Sequence, residues 1–313
     1  MIRYRIVHRT EYHYGAPMTA SHTVARLTPR DTGTQHVLSS SLAVTPVPEQ
    51  LSHLDEFGNR LSYLAVTEPH DTLVVTATSE VDVEPPPAWS APPVDAVAQD
   101  VAVFLAAAGC SRKDHDLEHS MTRIAFDALD PMERLNVLRC RHPSPLIPRS
   151  EAVAAYAAES FTIGRCIEEF AVSLCHRIFT DFTFDPTFSD ISTPLEAVLE
   201  HRRGVCQDFA HLAIACFRSV GLSARYVSGY LETDPPPGQT KLVGSDASHA
   251  WCAVWTPTRG WFDIDPTNNQ APPHRHITVG WGRDYSDVAP VRGVIFGPPT
   301  PQELNVSVDV RRV

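Results

Sequence analysis

The sequence predicts an α+β protein whose strands and helices are largely separated along the chain. Apolar residues alternate with polar ones in several stretches of residues 1–84, which is typical of strands. Apolar and aromatic residues recur at spacings of three and four over residues 94–180, which is typical of helices. A strongly patterned helix at residues 206–220 is then followed by three strand patterns between residues 224 and 265. We find no internal repeat.

The first part of the chain is predicted to be a small antiparallel β domain that covers residues 1–84. Turn-forming residues at 55–59 separate two of its strand patterns. The domain ends at a proline-rich stretch, residues 85–93, because proline cannot continue a sheet ladder. We therefore place a proline-rich linker and helical region at residues 85–145. Within it, the charged and uneven stretch 111–140 cannot be assigned from its pattern.

A larger core is predicted at residues 146–297. Its clearest element is the helix at 206–220, whose apolar stripe stops before Gly221, a residue suited to the position after a helix C terminus. The three strands predicted after this helix cover residues 224–232, 248–256 and 261–265. Alternating residues near the C terminus predict a final strand within residues 298–313.

Composition indicates a folded protein and excludes several classes of partner. Of the 313 residues, 43% are apolar and 20% are charged, which is the balance of a globular protein. The formal charge is -11 and no basic block is present, so we expect neither nucleic acid nor an anionic membrane surface as a partner. Charged residues near the N terminus, and the lack of an apolar run of about 18 residues, predict a cytoplasmic protein.

The cysteines do not have the pattern of a disulfide framework or of a zinc site. Their number is odd and their spacing is wide, in a chain too long to need disulfides for stability. No C-x-x-C pair occurs, so a structural zinc site is not expected. The seven are Cys110, Cys140, Cys166, Cys175, Cys206, Cys216 and Cys252. We expect most of them to be reduced and buried.

One of these residues, Cys206, lies where a nucleophile could be activated. It is in the first turn of the predicted helix, where unpaired backbone N–H groups and the positive end of the helix dipole favour a thiolate. The nearby Gly204 would let a substrate backbone approach closely, and the Cys206 N–H is a natural oxyanion donor. The alternative interpretation is a buried helix residue, since free cysteines are usually buried.

A histidine and an aspartate are predicted to lie close together near this cysteine. If the strands on either side of the turn at 256–260 pair as a hairpin, His249 falls opposite residues 265–267, within reach of Asp265. A carboxylate bonded to one imidazole nitrogen leaves the other nitrogen to take the thiol proton. Asp263 lies on the same face and is the alternative orienting acid. We prefer Asp265, whose register is better.

Five short motifs stand out in the second half of the chain. They are RGVCQDFAH at 203–211, ARYVSGY at 224–230, HAW at 249–251, DPTN at 265–268 and GRDYSDV at 282–288. Together they resemble the transglutaminase-like superfamily, and most closely its bacterial branch with an added N-terminal β domain. A weaker similarity in organisation extends over the whole chain.

This resemblance implies a papain-like core in which a helix carrying the nucleophile packs on an antiparallel sheet. It implies Cys206 as the nucleophile, His249 as the base and then the acid, and Asp265 as the orienting carboxylate. The implied chemistry is amide or peptide hydrolysis, or acyl transfer, through a thioester on a peptide or protein substrate. No organic cofactor is implied, nor is the calcium that animal members use.

Some features depart from this pattern or stay open. Phe184 stands where the bacterial branch often has a tyrosine. If the hydroxyl of that tyrosine helps to bind the oxyanion, this contribution is absent here. His274 and His276 are expected to be solvated in a proline-rich loop. A metal site built from Cys206, His249 and Asp265 is not favoured, because it matches no recognised pattern.

Two classes of function remain after this comparison of motifs. An enzyme is favoured, with hydrolysis slightly preferred because nothing marks a subsite for an amine. The alternative is a non-catalytic relative that uses the same cleft to bind a peptide or a protein. Retention of three polar residues argues against it, since burying them without a function costs stability. The substrate and the oligomeric state are not determined by the sequence.

Overall fold

The computed structural model describes residues 1–84, 126–161, 166–233, 248–257, 259–271 and 273–313. The strands in these ranges are β1 (Ile2–Met18), β2 (Ala20–Ala25), β3 (Gln35–Thr45), β4 (Glu49–Leu54), β5 (Arg60–Val66), β6 (His70–Val83), β7 (Thr183–Phe184), β8 (Arg203–Gly204), β9 (Ala224–Leu231), β10 (Ser248–Thr256), β11 (Gly260–Ile264), β12 (His276–Gly282), β13 (Val291–Phe296) and β14 (Gln302–Arg312). The helices are α1 (Pro131–Arg139), α2 (Glu151–Ala158), α3 (Ile167–Asp181), α4 (Leu195–His201), α5 (Cys206–Ser219) and α6 (Tyr285–Val288).

The predicted α+β class is confirmed, with strands first and the helices packed against a later sheet. The strand predictions after residue 220 agree with β9, β10 and β11 to within one residue at each end. The helical pattern predicted over residues 94–108 lies outside the described residues. Part of the unassigned stretch 111–140 forms α1.

Two antiparallel sheets form the N-terminal part of the protein. Their strand orders are β14-β1-β6-β3 and β13-β2-β5-β4. Side chains from both sheets share one apolar core, which includes Met18, Leu64, Leu73 and Val75. The alternation read in the sequence arises because every second residue of these strands faces this core. Strands β13 and β14, from the end of the chain, complete the two sheets, and β14 pairs with β1 along most of its length.

The third sheet, in the order β11-β10-β9-β12, carries α5 on one face. The apolar side of α5, with Leu212, Ala213 and Phe217 fully buried, packs against residues of β10 and β11 such as Cys252 and Ile264. The helix ends before Gly221, which has a φ of 85°. This left-handed conformation favours glycine, and the prediction for this helix end is confirmed. None of the helices in the described ranges is long and apolar enough to cross a bilayer.

The two parts of the molecule meet along β12, which is the edge strand of the third sheet. Ile277 and Val279 from β12 share an apolar cluster with residues of β1, β6 and β14. Two side-chain amides bond to the backbone of this edge. Gln35 donates to the Thr278 carbonyl and accepts from the Thr278 N–H, both at 2.8 Å. Asn59 bonds the Trp281 carbonyl at 2.8 Å and the Trp281 N–H at 3.0 Å. The N-terminal part therefore covers an edge that would otherwise present free backbone groups.

Candidate active site

Cys206 is the first residue of α5 and differs from the other cysteines in its exposure. Among the six cysteines in the described part of the chain, all of which are free thiols, Cys206 is partly exposed and the other five are buried. Burial raises the pKa of the buried thiols, to about 11 for Cys140 and to about 12 for Cys175 and Cys216. Those thiols therefore stay protonated near neutral pH, and Cys206 is the cysteine placed to react.

The turn that presents Cys206 is held by Asp208, which is buried. One carboxylate oxygen of Asp208 accepts from the Val205 N–H at 2.8 Å and from the Ser189 hydroxyl at 2.5 Å. A Cβ atom on Gly204 would lie 2.8 Å from that same oxygen. The space beside Gly204 thus belongs to the Asp208 side chain, which gives this glycine a local structural reason besides the predicted access for substrate.

Phe184 lies next to this turn. Strand β7 pairs with β8 so that Phe184 is opposite Gly204, and the Asp185 N–H donates to the Gly204 carbonyl at 2.9 Å. The ring of Phe184 is largely exposed. The residue that departs from the family pattern therefore lies opposite Gly204, which is two residues before Cys206 in the chain, and it offers the site no hydroxyl group.

His249 is near the start of β10 and is bonded to Asp265. Strand β10 pairs with β11 from Thr256 opposite Gly260 to Cys252 opposite Ile264. Continued past Ile264, this register brings His249 level with the residues just after β11, as the hairpin argument predicts. The distance from His249 Nε2 to Asp265 Oδ2 is 2.8 Å. With Nε2 directed at Asp265, Nδ1 is the ring nitrogen left for a thiol.

The imidazole of His249 also forms a side-chain hydrogen bond with Cys206, so the structure brings the three predicted residues together. Burial by itself would lower the pKa of His249. The hydrogen bonds with Asp265 and Cys206 outweigh burial and raise that pKa to about 10. At neutral pH the ring is therefore an imidazolium, which stabilises a thiolate on Cys206.

Asp265 is fully buried and follows β11 directly. Burial would raise its pKa, but hydrogen bonds from His249 and His276 outweigh this and hold the pKa well below its usual range. Its second oxygen, Oδ1, accepts from the backbone N–H of Thr267 at 2.9 Å and of Asn268 at 3.3 Å. The carboxylate is thus ionised and fixed in direction.

Asp263, the alternative acid, has no hydrogen bond to His249 among the contacts of the described residues. Burial raises the pKa of Asp263, and the guanidinium of Arg225 opposes that rise. Its Oδ1 atom has no hydrogen-bond partner. Of the two acids, Asp265 is therefore the one that is hydrogen-bonded to His249. The catalytic role of Asp265 stays a prediction.

Two residues of the site were missed by sequence reasoning. His276, expected to be solvated, is buried at the start of β12, and its Nε2 lies 2.9 Å from Asp265 Oδ2. Asn268 donates from Nδ2 to the same oxygen at 2.7 Å. The expectation for His276 was wrong because proline-rich residues before it concealed the strand that begins there. Asn268 was within the DPTN motif, yet no role for it could be read from that motif alone.

His249, Asp265 and His276 also form a set of possible metal ligands, whose nearest ligand atoms lie within 4.8 Å of one another. Two imidazoles and a carboxylate suit a zinc ion. Tetrahedral zinc, however, would separate its ligand atoms by about 3.3 Å. Here Asp265 Oδ2 lies only 2.8 and 2.9 Å from the two nitrogens, which is hydrogen-bond geometry. The arrangement therefore suits proton sharing between these side chains.

Comparison with known proteins agrees with this geometry. Residues 156–266 match the family model of the transglutaminase-like superfamily, and residues 4–82 match that of the bacterial transglutaminase-like N-terminal region. The chain belongs to the transglutaminase-like superfamily. The resemblance inferred from the motifs is thereby confirmed, including the N-terminal β domain of the bacterial branch.

Three relatives of this transglutaminase-like protein illustrate the range of similarity. An uncharacterized protein from Mycobacterium tuberculosis is 43% identical over 314 residues, which cover 98% of this chain and 92% of the relative. A protein-glutamine gamma-glutamyltransferase from Pseudomonas aeruginosa is 28% identical over 151 residues, which cover 46% of this chain and 22% of that protein. A crystal structure from Cytophaga hutchinsonii, provisionally described as a cysteine protease, has a TM-score of 0.73 and 21% identity, with coverage of 100% of this chain and 91% of that one. That structure supports the fold.

Proposed function

We propose that this protein is a cysteine-dependent enzyme that attacks an amide bond of a peptide or protein substrate. The observation that carries the proposal is the arrangement of three side chains. The Cys206 thiol is hydrogen-bonded to the imidazole of His249, and His249 Nε2 is bonded to the ionised, buried carboxylate of Asp265. A row of this kind holds a thiolate and an imidazolium side by side at neutral pH.

The reaction follows from the positions of these groups. The Cys206 thiolate attacks the carbonyl carbon, and the oxygen takes up negative charge beside the free N–H groups at the start of α5. His249 then donates its Nδ1 proton to the amide nitrogen, the C–N bond breaks, the amine leaves and a thioester remains. Water or a second amine attacks the thioester and gives its proton back to His249, which releases the product and regenerates the thiolate.

The relatives support an amide substrate but leave the acceptor open. The Pseudomonas relative is a protein-glutamine gamma-glutamyltransferase, which acts on protein glutamine and transfers its acyl group. We favour hydrolysis slightly in the present protein, because no side chain near Cys206 in the described ranges marks a subsite for an acceptor amine. In both cases the chemistry up to the thioester is the same.

The proposal is tested by iodoacetamide labelling at about pH 6, with each cysteine quantified by mass spectrometry, because an ordinary thiol is almost fully protonated at that pH. We expect fast alkylation of Cys206 and slow alkylation of the buried cysteines. His249→Ala should slow the labelling of Cys206, while His274→Ala, a change at an exposed histidine, should not. A peptide library containing amide electrophiles should then acylate the native protein and leave the Cys206→Ser variant unmodified.

The outcome that would contradict the proposal is uniform, slow labelling of all the cysteines, with no effect of His249→Ala. That result would favour the non-catalytic relative, which uses the same cleft to bind a peptide or protein.

A further inference from the structure

His276 is bonded at both of its ring nitrogens. Its Nε2 lies 2.9 Å from Asp265 Oδ2, and its Nδ1 lies 2.6 Å from the backbone carbonyl oxygen of His274. A carbonyl oxygen and an ionised carboxylate can only accept hydrogen bonds. Both ring nitrogens of His276 therefore face acceptors, and Nε2 is placed as a donor to the carboxylate that holds His249.

The His276 ring is held in place by its neighbours. Its centroid is 4.9 Å from that of the Trp251 ring, in an edge-to-face contact, and 5.4 Å from that of His249. The rings from β10 and β12 meet across β9 at Gly229. A Cβ atom there would lie 2.7 Å from the Trp251 ring and would collide with the Ile277 carbonyl. Glycine thus allows the close approach on which this contact depends.

The oxygen Asp265 Oδ2 is consequently shared among three side chains. It accepts from His249, from His276 and from the neutral amide of Asn268. A buried carboxylate oxygen that accepts from three donors cannot change its direction without breaking hydrogen bonds. The direction in which Asp265 holds His249 should accordingly depend on His276.

We propose that His276 is a positioning residue of this site, which fixes the Asp265 carboxylate in the direction that orients His249 toward Cys206. The inference rests on the proposed function, because it concerns the imidazole that forms the pair with Cys206.

The titratable and charged groups that face these two rings come from four elements. They are Cys206 from α5, Asp263 from β11, Asp265 from the turn after β11 and Cys175 from α3. The thiol of Cys175 donates to the backbone carbonyl of Asp265, and burial raises its pKa to about 12, so it stays neutral. Asp263 is the remaining carboxyl group, and burial raises its pKa.

The test is the rate of Cys206 alkylation by iodoacetamide, from about pH 5 to about pH 8, in the full-length protein. His276→Gln keeps an N–H donor for Asp265, whereas His276→Ala removes it. His274→Gln is the matched control, because it changes an exposed neighbouring histidine and leaves the backbone carbonyl that His276 uses. Circular dichroism at each pH restricts the comparison to folded protein.

At about pH 6, where an ordinary thiol is almost fully protonated, His276→Gln and His274→Gln should be labelled at nearly the native rate. His276→Ala should be labelled about tenfold more slowly, because Asp265 is no longer fixed.

Labelling of His276→Ala at the native rate would overturn the inference, as would labelling of His276→Gln as slow as that of His276→Ala. These results differ from a failure of the proposed function. In that case the native protein itself would show no fast labelling of Cys206 at about pH 6, and the inference would fall with it.

Discussion

At the residue scale, the side chains around Asp265 explain how one imidazole can be both charged and correctly directed inside the protein. Burial alone would neutralise a carboxylate and an imidazole in this position. Asp265 stays ionised because donors surround both of its oxygens. His249 stays protonated because it lies between that carboxylate and the Cys206 thiol. Each of these charges therefore depends on the others.

We expect Asp265→Asn to reduce the alkylation rate of Cys206 at about pH 6, and the rate of any substrate turnover, by roughly two to four orders of magnitude. An amide gives no counter-charge to the His249 imidazolium, and its N–H₂ group would face donors from His249 and His276. The same variant should lose the part of its stability that the native carboxylate contributes. That contribution is present above the ordinary carboxyl pKa of about 4 and is lost as the pH falls below it.

The control for this change is Asp263→Asn, which neutralises the acid that does not bond to His249. We expect its labelling rate to stay within about threefold of the native rate. The opposite result, with a large loss for Asp263→Asn and none for Asp265→Asn, would assign the orienting role to Asp263.

At the element scale, the start of α5 is where the sequence and the site are most directly linked. The helix begins at Cys206 because Asp208 accepts the Val205 N–H and closes the first turn. The apolar stripe on the same helix then fixes it against β9 and β10. Packing of the helix and placement of the thiol therefore follow from one short segment, and this part of the site could be predicted from the sequence.

We expect Gly204→Ala to destabilise the protein by about 1 to 3 kcal/mol and to slow the labelling of Cys206. The added methyl group would lie 2.8 Å from Asp208 Oδ2 and 2.9 Å from its Cβ, so the Asp208 side chain must move and the first turn of α5 must move with it. Urea unfolding followed by circular dichroism gives the change in stability. Gly33→Ala is a matched control, because its methyl group would meet no atom within 4 Å. Equal stabilities of the two variants would show that Asp208 can adapt to the methyl group.

At the scale of the whole molecule, the N-terminal sheets support the strand that carries His276. Strand β12 is an edge strand, and the N-terminal part covers it with an apolar cluster and with the side-chain amides of Gln35 and Asn59. These contacts keep the edge from pairing with another chain. They also fix the position of β12 relative to β9, and hence that of His276 relative to Asp265. The contact between His276 and Asp265 thus depends on an interface remote from Cys206.

We expect Asn59→Ala to lower the free energy of unfolding by about 1 to 3 kcal/mol, because it removes the side-chain partner of the Trp281 N–H and carbonyl. Chemical unfolding monitored by tryptophan fluorescence measures the change. Asn305→Ala on β14 is the control, since Asn305 is exposed and its side chain bonds to an exposed glutamate in its own strand. A loss no larger than that of the control would mean that water replaces the Asn59 amide at this edge.

The sequence by itself determined the class of fold, the bounds of α5 and the three strands after it, and the proximity of His249 to Asp265. These features depend on interactions between residues that are near in sequence, such as a helix start, an apolar stripe and a hairpin register. Only the tertiary structure decided that His276 faces Asp265 and that the last two strands complete the N-terminal sheets. The physical reason is that pairing between distant strands is selected by the packing of the whole core, so no local pattern in the sequence specifies it.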